Sequence, residues 1–148
     1  MITKELENTL RNAVKEASDR RHEYVTLEHL LLALLSDRVA RDVIYHCAGN
    51  PDTLKKELEE FFGGHTELIN AKDESELPQQ TMMFQRVLQY ALLQAEASGQ
   101  KEVNGGGLLA ALFQARGSHA VYLLEKQGIK RLAVLRYISH GISAVDEG

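Results

Sequence analysis

Val25-Thr26-Leu27-Glu28-His29-Leu30-Leu31-Leu32-Ala33-Leu34-Leu35-Ser36 decides the fold, because a weaker copy of it occurs later at a constant offset of 78 positions. The copy reads Val103-Asn104-Gly105-Gly106-Gly107-Leu108-Leu109-Ala110-Ala111-Leu112-Phe113-Gln114. Each stretch begins with a residue type that caps helix N-termini, threonine or asparagine. The helix after each cap is apolar on nearly every side, which is typical of a helix buried among other helices. The sequence therefore predicts a duplicated helical unit.

Apolar residues at helical spacing extend this duplication over the chain and predict eight helices. Helix one covers about 3–19 and helix two about 26–36. A third helix is predicted to end at Gly49, which would be its left-handed C′ residue, and a fourth to end at Gly63-Gly64. The second set runs from about 81 to Gly141, with ends near Ser98-Gly99 and at Gly128. No alternating β-pattern of useful length is present. We expect an all-α fold of two four-helix repeats related by a pseudo-two-fold axis.

Domain boundaries can be set from these patterns. Repeat one covers about 3–62 and repeat two about 81–141, and together they form one domain over 1–141. Between them, the polar stretch 63–80 predicts a mobile linker loop. Residues 142–148 are predicted to form a polar tail.

Composition excludes several classes of protein. A net charge of −4 argues against nucleic-acid binding, and the one basic cluster, Arg20-Arg21-His22, is flanked by acidic residues. The single cysteine, Cys47, rules out an internal disulfide and favours a reducing compartment. The longest apolar run, Leu30 to Leu35, is too short to cross a bilayer. We expect a cytoplasmic, monomeric domain that binds neither nucleic acid nor membranes.

Catalytic patterns are absent from the sequence. No phosphate-binding loop is present, and no two of the six histidines have the i, i+4 spacing of a helical metal pair. Glu28 and His29 are adjacent and would point apart on a helix, which disfavours a catalytic dyad. We predict no catalytic residue, no metal and no cofactor in this domain. A small metal-dependent helical enzyme using His22, Glu28 and His65 remains an alternative hypothesis.

Two arginines occupy electrostatically unfavourable positions. Arg86 and Arg131 each lie in the first turn of a predicted helix, where a cation opposes the helix dipole. They are either solvated surface residues or contacts to an acidic partner.

Several stretches also carry a resemblance. Arg21-His22-Glu23-Tyr24 together with Val25 to Leu35, Phe84-Gln85-Arg86-Val87-Leu88-Gln89, Tyr122-Leu123-Leu124 and Ile138-Ser139-His140-Gly141 closely resemble the N-terminal domains of ClpA-type unfoldases of the Clp ATPase family. The resemblance covers essentially the whole chain. It implies an eight-helix docking domain without enzymatic activity of its own, followed in a full-length protein by ATPase modules that use ATP and Mg and work with ClpP. Residues 142–148 would begin the tether to those modules.

The resemblance also implies partners and contact residues. Domains of this kind dock the adaptor ClpS, which delivers N-degron substrates, and help to receive other protein substrates. Carried over by position, the adaptor surface comprises His22, Glu23, Tyr24, Glu28, Thr81 and Arg86. Arg131 would belong to a neighbouring peptide-contact region. A purely structural spacer that positions the ATPase ring is a further alternative.

Overall fold

The computed structural model describes residues 1–64 and 78–141. Within these ranges the chain forms eight helices, which confirms the predicted all-α class. They are α1 (Lys4–Asp19), α2 (Leu27–Leu34), α3 (Arg38–His46), α4 (Pro51–Gly63), α5 (Met82–Ala97), α6 (Gly105–Leu112), α7 (His119–Lys126) and α8 (Arg131–His140). The predicted linker between 65 and 77 and the predicted tail 142–148 lie outside the described residues.

Polar side chains begin the helices at the positions that the sequence indicates. The hydroxyl of Thr3 accepts a hydrogen bond from the Leu6 N–H at 3.1 Å, and Thr81 accepts the equivalent bond from Phe84 at 3.1 Å. Such caps satisfy N–H groups that have no partner within the helix. Helix α8 differs, since Lys130 before it makes no side-chain cap.

The two central helices form the core of the fold. All residues of α2 are buried, and α2 packs against α1, α6 and α7. Helix α6 packs against α5, α2 and α3, which is the same arrangement with the repeats exchanged. Their fully buried leucines are Leu30, Leu31, Leu34, Leu108, Leu109 and Leu112. The predicted pseudo-two-fold packing of the central helices is confirmed.

Short strands pair the two repeats with each other, and the sequence does not predict this pairing. Strand β1 (Tyr24–Val25) pairs in parallel with β2 (Gln79–Gln80), so these glutamines belong to a strand rather than to the predicted linker. By symmetry, Ile2 pairs in parallel with Val103. The segment before the first helix of each repeat therefore pairs with the corner of the other repeat. Two residues are too few to show an alternating pattern.

The end of α3 corrects the predicted role of Gly49. The left-handed residue is Ala48, with φ 67°, and the Gly49 N–H closes the turn on the Ile44 carbonyl at 2.8 Å. Gly49 is needed for space instead, because a Cβ there would lie 2.4 Å from Cδ1 of Ile129. At the end of α7 the prediction is confirmed, since Gly128 has φ 81°.

Candidate functional site

The corner between α1 and α2 directs neighbouring side chains in opposite directions. Arg21, with φ 59°, is left-handed, and the N–H of the next residue, His22, donates to the Ala17 carbonyl at 2.9 Å. As a result His22 is buried, whereas Glu23 and Tyr24 are exposed. The predicted adaptor residues of this corner thus divide into an inner and an outer group.

His22 belongs to a buried ring cluster with His29 and Phe62. The Thr26 N–H donates to Nδ1 of His29 at 2.9 Å, so the proton of that neutral ring is on Nε2. Nε2 then donates to Nδ1 of His22 at 2.7 Å. Phe62 stacks on His29 with ring centroids 4.6 Å apart. His29 therefore takes the place of the glutamate or glutamine that usually completes a capping box.

Burial controls the protonation of this pair. Burial first, then the neighbouring His22 and Arg20, lower the pKa of His29 from 6.5 to about 3. Burial and the charge of Arg20 also lower the pKa of His22. Both rings are accordingly neutral at pH 7, as the hydrogen-bond chain requires.

Glu28 also points inward. The residue is only 9% exposed, and its Oε2 accepts a hydrogen bond from the Ala120 N–H at 2.9 Å, in the first turn of α7. A carboxylate at a helix N-terminus is favoured by the helix dipole. The structure therefore places Glu28 as a contact between the two repeats. A direct role of His22 or Glu28 in adaptor binding stays a prediction.

The outer residues form one surface, here called the corner surface: Glu23, Tyr24, Thr81, Met82 and Arg86. Strand pairing brings its two segments together, because the Thr81 N–H donates to the Val25 carbonyl at 3.2 Å. Tyr24 is 43% exposed and Met82 67% exposed. Arg86 is exposed and lies four residues after Met82, on the same face of α5. The surface has exposed apolar side chains and charged ones beside them, an arrangement found in protein interfaces.

Arg131 does not belong to the corner surface and lies in a groove between α5, α6 and α8. The groove, here called the repeat-two groove, has a volume of about 220 Å³. Nη2 of Arg131 lies 3.4 Å from the hydroxyl of Tyr90, and Leu135 and Ile138 add apolar lining. Small residues line it as well: Ala91, Ala95, Gly107, Ala110 and Ala111.

The sequence patterns above do not predict this groove, although the duplication carries a signal for it. At the 78-residue offset, Gly107 takes the position of His29, so the ring that fills this position in repeat one is missing in repeat two. The corresponding cavity of repeat one, about 280 Å³, is also more polar. Its lining includes Lys15, Glu16, Arg41, Asp52, Lys55 and Glu59.

The described residues offer little for the alternative of a metal-dependent enzyme. No group of three or more His, Cys, Asp or Glu side chains among residues 1–64 and 78–141 could hold a metal ion. His22 and Glu28 are engaged in the hydrogen bonds above, and His65 lies outside the described part of the chain. Burial raises the pKa of the Cys47 thiol, which disfavours the nucleophilic thiolate. No helix in the described ranges is long and apolar enough to span a membrane.

Comparison with known proteins gives consistent matches. The family model of the Clp repeat N-terminal domain matches residues 1–127. A ClpA homolog protein of Fuscovulum blasticum is 37% identical over 138 residues, which are 93% of this chain and 17% of that protein.

Solved structures share the fold. The Hsp104 N-terminal domain from Candida albicans superposes with a TM-score of 0.75 at 11% identity, covering 90% of this chain and 85% of that one. The ClpV N-domain in complex with a VipB peptide gives 0.72 at 22% identity, covering 97% and 89%.

Proposed function

Because this chain belongs to the Clp repeat N-terminal domain family, we propose that it is the adaptor- and substrate-docking domain of a ClpA-type ATP-dependent unfoldase. Its adaptor would be ClpS. The chain spans about a sixth of the length of the ClpA homolog that it matches. ATP hydrolysis with Mg and the delivery of substrates to ClpP would therefore belong to other parts of a longer protein. The domain itself would bind proteins and catalyse no reaction.

The observation that carries the adaptor proposal is the corner surface. Its exposed Tyr24 lies on a strand that is fixed by pairing with Gln79, so little conformational entropy is lost when a partner packs on it. Tyrosine and arginine are among the residue types most enriched at energetically dominant interface positions, and Arg86 supplies the second. Glu23 adds a charge that can select partners by complementarity.

The repeat-two groove supports a separate peptide contact. The alanines and the glycine of its lining leave room for side chains of an unfolded segment, while Arg131 can bind a carboxylate or a backbone carbonyl. The ClpV N-domain, which shares the fold, forms a complex with a VipB peptide. We propose that this groove receives substrate segments and that the corner surface receives the adaptor.

Charge reversal at two neighbouring glutamates tests the adaptor site. We expect Glu23→Lys to weaken ClpS binding about tenfold, with Tm unchanged within about 1 °C, because the residue is exposed. Glu28→Lys should instead lower the free energy of unfolding by roughly 3–5 kcal/mol, because it places a buried cation at the start of α7. Calorimetric titration with ClpS and thermal unfolding measure the two effects. If Glu23→Lys binds ClpS as well as the unaltered chain does, this side chain is not part of the interface. If the unaltered chain does not bind ClpS, the alternative of a structural spacer is favoured.

Filling the repeat-two groove tests the peptide contact. Gly107→His copies His29 of repeat one into the groove, where a Cβ at position 107 meets only ordinary contacts, the nearest at 3.4 Å from Val103. We expect binding of reduced, carboxymethylated lactalbumin, an unfolded probe, to fall about tenfold while ClpS binding stays the same. Fluorescence anisotropy of the labelled probe measures the change. Equal loss of both partners would mean that the two sites are not separate.

A further inference from the structure

The repeat-two groove has a lining with one sign of charge. Among the described residues that line it, only Arg131 is charged. The other polar ones carry no formal charge: Tyr90, Gln94, Ser98, Gln100 and Ser139. The cavity of repeat one, in contrast, is lined by both cations and carboxylates. A cation in a groove without carboxylates attracts an anion, so charge complementarity favours an anionic ligand in the repeat-two groove.

Tyr90 places a hydrogen-bond donor beside this cation. Its hydroxyl accepts a hydrogen bond from Nε2 of Gln94 at 2.7 Å and lies 3.4 Å from Nη2 of Arg131, which has no other polar contact with a described residue. A phenolic hydroxyl that accepts a hydrogen bond still has its own proton to donate, and no described residue accepts that proton. The guanidinium and the hydroxyl are therefore two adjacent donors, and the two oxygens of a carboxylate match them.

The size of the groove limits what can accompany the carboxylate. An apolar cavity of about 150 Å³ binds benzene. The groove, with about 220 Å³, therefore admits one side chain of the size of leucine or phenylalanine, and Ala91, Ala111 and Leu135 provide apolar contacts for it. Only the last residue of a protein combines a free main-chain carboxylate with an apolar side chain. An internal aspartate or glutamate would need a second residue to fill the same space.

We propose that the repeat-two groove binds the carboxyl terminus of a substrate protein whose last residue is apolar. Arg131 and Tyr90 hold the carboxylate, and the apolar side chain lies beside Gly107. This inference rests on the proposed function and names the class of substrate segment that the groove takes. A cation in the first turn of α8 opposes the helix dipole, and a bound carboxylate offsets that cost. The groove then distinguishes a chain end from an internal segment of the same composition.

Two forms of one peptide test the contact to the chain end. The probes are a short peptide of glycine and serine with a final leucine, bearing either a free C-terminal carboxylate or a C-terminal amide. We expect the amide to bind the unaltered chain about tenfold more weakly, because it loses charge-assisted hydrogen bonds. Arg131→Gln should bind both forms equally, and Tyr90→Phe should reduce the difference. Chemical-shift titration of the isotope-labelled chain measures these affinities even where they are weak.

Arg136→Gln is the matched control. Arg136 is an exposed cation of the same helix that does not line the groove, so this variant should keep the difference between the two peptides. If the unaltered chain binds both forms equally, or if an amidated peptide with an internal glutamate binds as tightly as the free carboxylate, the inference is wrong. A loss of lactalbumin binding in Gly107→His would then still support the groove as the substrate site. If Gly107→His binds lactalbumin unchanged and neither peptide shifts the resonances of the groove, both proposals are wrong.

Discussion

The free energy of unfolding is expected to decrease by about 1.4 kcal/mol for each pH unit below 6.5, because the unfolded state takes up a proton that the buried His29 does not bind. The pKa of His29 is 6.5 in the unfolded chain and about 3 in the fold. Between these values the unfolded state binds more protons, so stability is fully present above pH 6.5 and is lost as the pH falls. His22, whose pKa is also lowered, adds to the loss in the same direction. Over the whole interval the His29 contribution is on the order of 4–5 kcal/mol.

A His29→Gln variant tests the assignment. Glutamine is a usual partner in a capping box, so its carbonyl oxygen can still accept from the Thr26 N–H. The variant loses the stacking on Phe62 and is less stable at pH 7, but its stability should change much less between pH 6.5 and 4.5. Urea unfolding at a series of pH values measures this slope.

Leu109→Val serves as the control for destabilisation alone. It removes a methylene group from the buried core, costing about 1 kcal/mol, and leaves both imidazoles in place. Its stability should be lower at every pH, with the slope of the unaltered chain. If His29→Gln keeps that slope too, the protons are taken up elsewhere and the neutral hydrogen-bond chain is wrong.

The features predicted correctly from the sequence are those that local patterns encode. Helix positions can be read from apolar spacing, and Thr3, Thr26 and Thr81 mark helix starts because capping depends on residues only three positions apart. The fold is indicated by the duplication, since two apolar helices that match along the chain can bury each other. Neither inference needs knowledge of tertiary contacts.

The features that the sequence did not reveal depend on distant contacts. In the sequence, Glu28 is an ordinary acidic residue in the first turn of a helix. In the fold it is buried and accepts a hydrogen bond from the N–H of Ala120, 92 positions away, so it connects the two repeats. The pairing of Tyr24 with Gln79 likewise joins two segments whose residues show no strand pattern. The repeat-two groove is lined in part by Gly107, which takes the position of His29 in repeat one, and a missing side chain gives a weak signal in one sequence.

The glycine run at the start of α6 leads to the other large expected effect, a loss of about 2–4 kcal/mol on Gly105→Ala. A Cβ at position 105 would lie 2.2 Å from Oδ1 of Asp37 and 2.7 Å from Oδ2. That carboxylate cannot move aside cheaply, because Oδ1 accepts from the Ala40 N–H at 3.0 Å and Oδ2 from the Thr9 hydroxyl at 2.7 Å. Asp37 is buried, so bonds broken by a shift would not be replaced by water.

The loss should appear although alanine favours helices over glycine by about 1 kcal/mol. Gly107→Ala measures that gain two residues along the same helix, since a Cβ there meets nothing closer than 3.4 Å, and it should be neutral or stabilising. Asp37→Ser tests whether the Asp37 side chain causes this loss. Serine is still a capping residue at the start of α3 but has a shorter side chain, so Gly105→Ala should cost less free energy in this background. Thermal unfolding of the unaltered chain, Gly105→Ala, Asp37→Ser and the double variant that combines them gives the coupling energy between the two positions, expected at about 1–3 kcal/mol. Equal stability of Gly105→Ala and Gly107→Ala would show that Asp37 yields freely, and additivity would show that the strain lies elsewhere. A coupling energy of this size would show why position 105 is a glycine: the carboxylate of Asp37, from the other repeat, occupies the space that a side chain would fill.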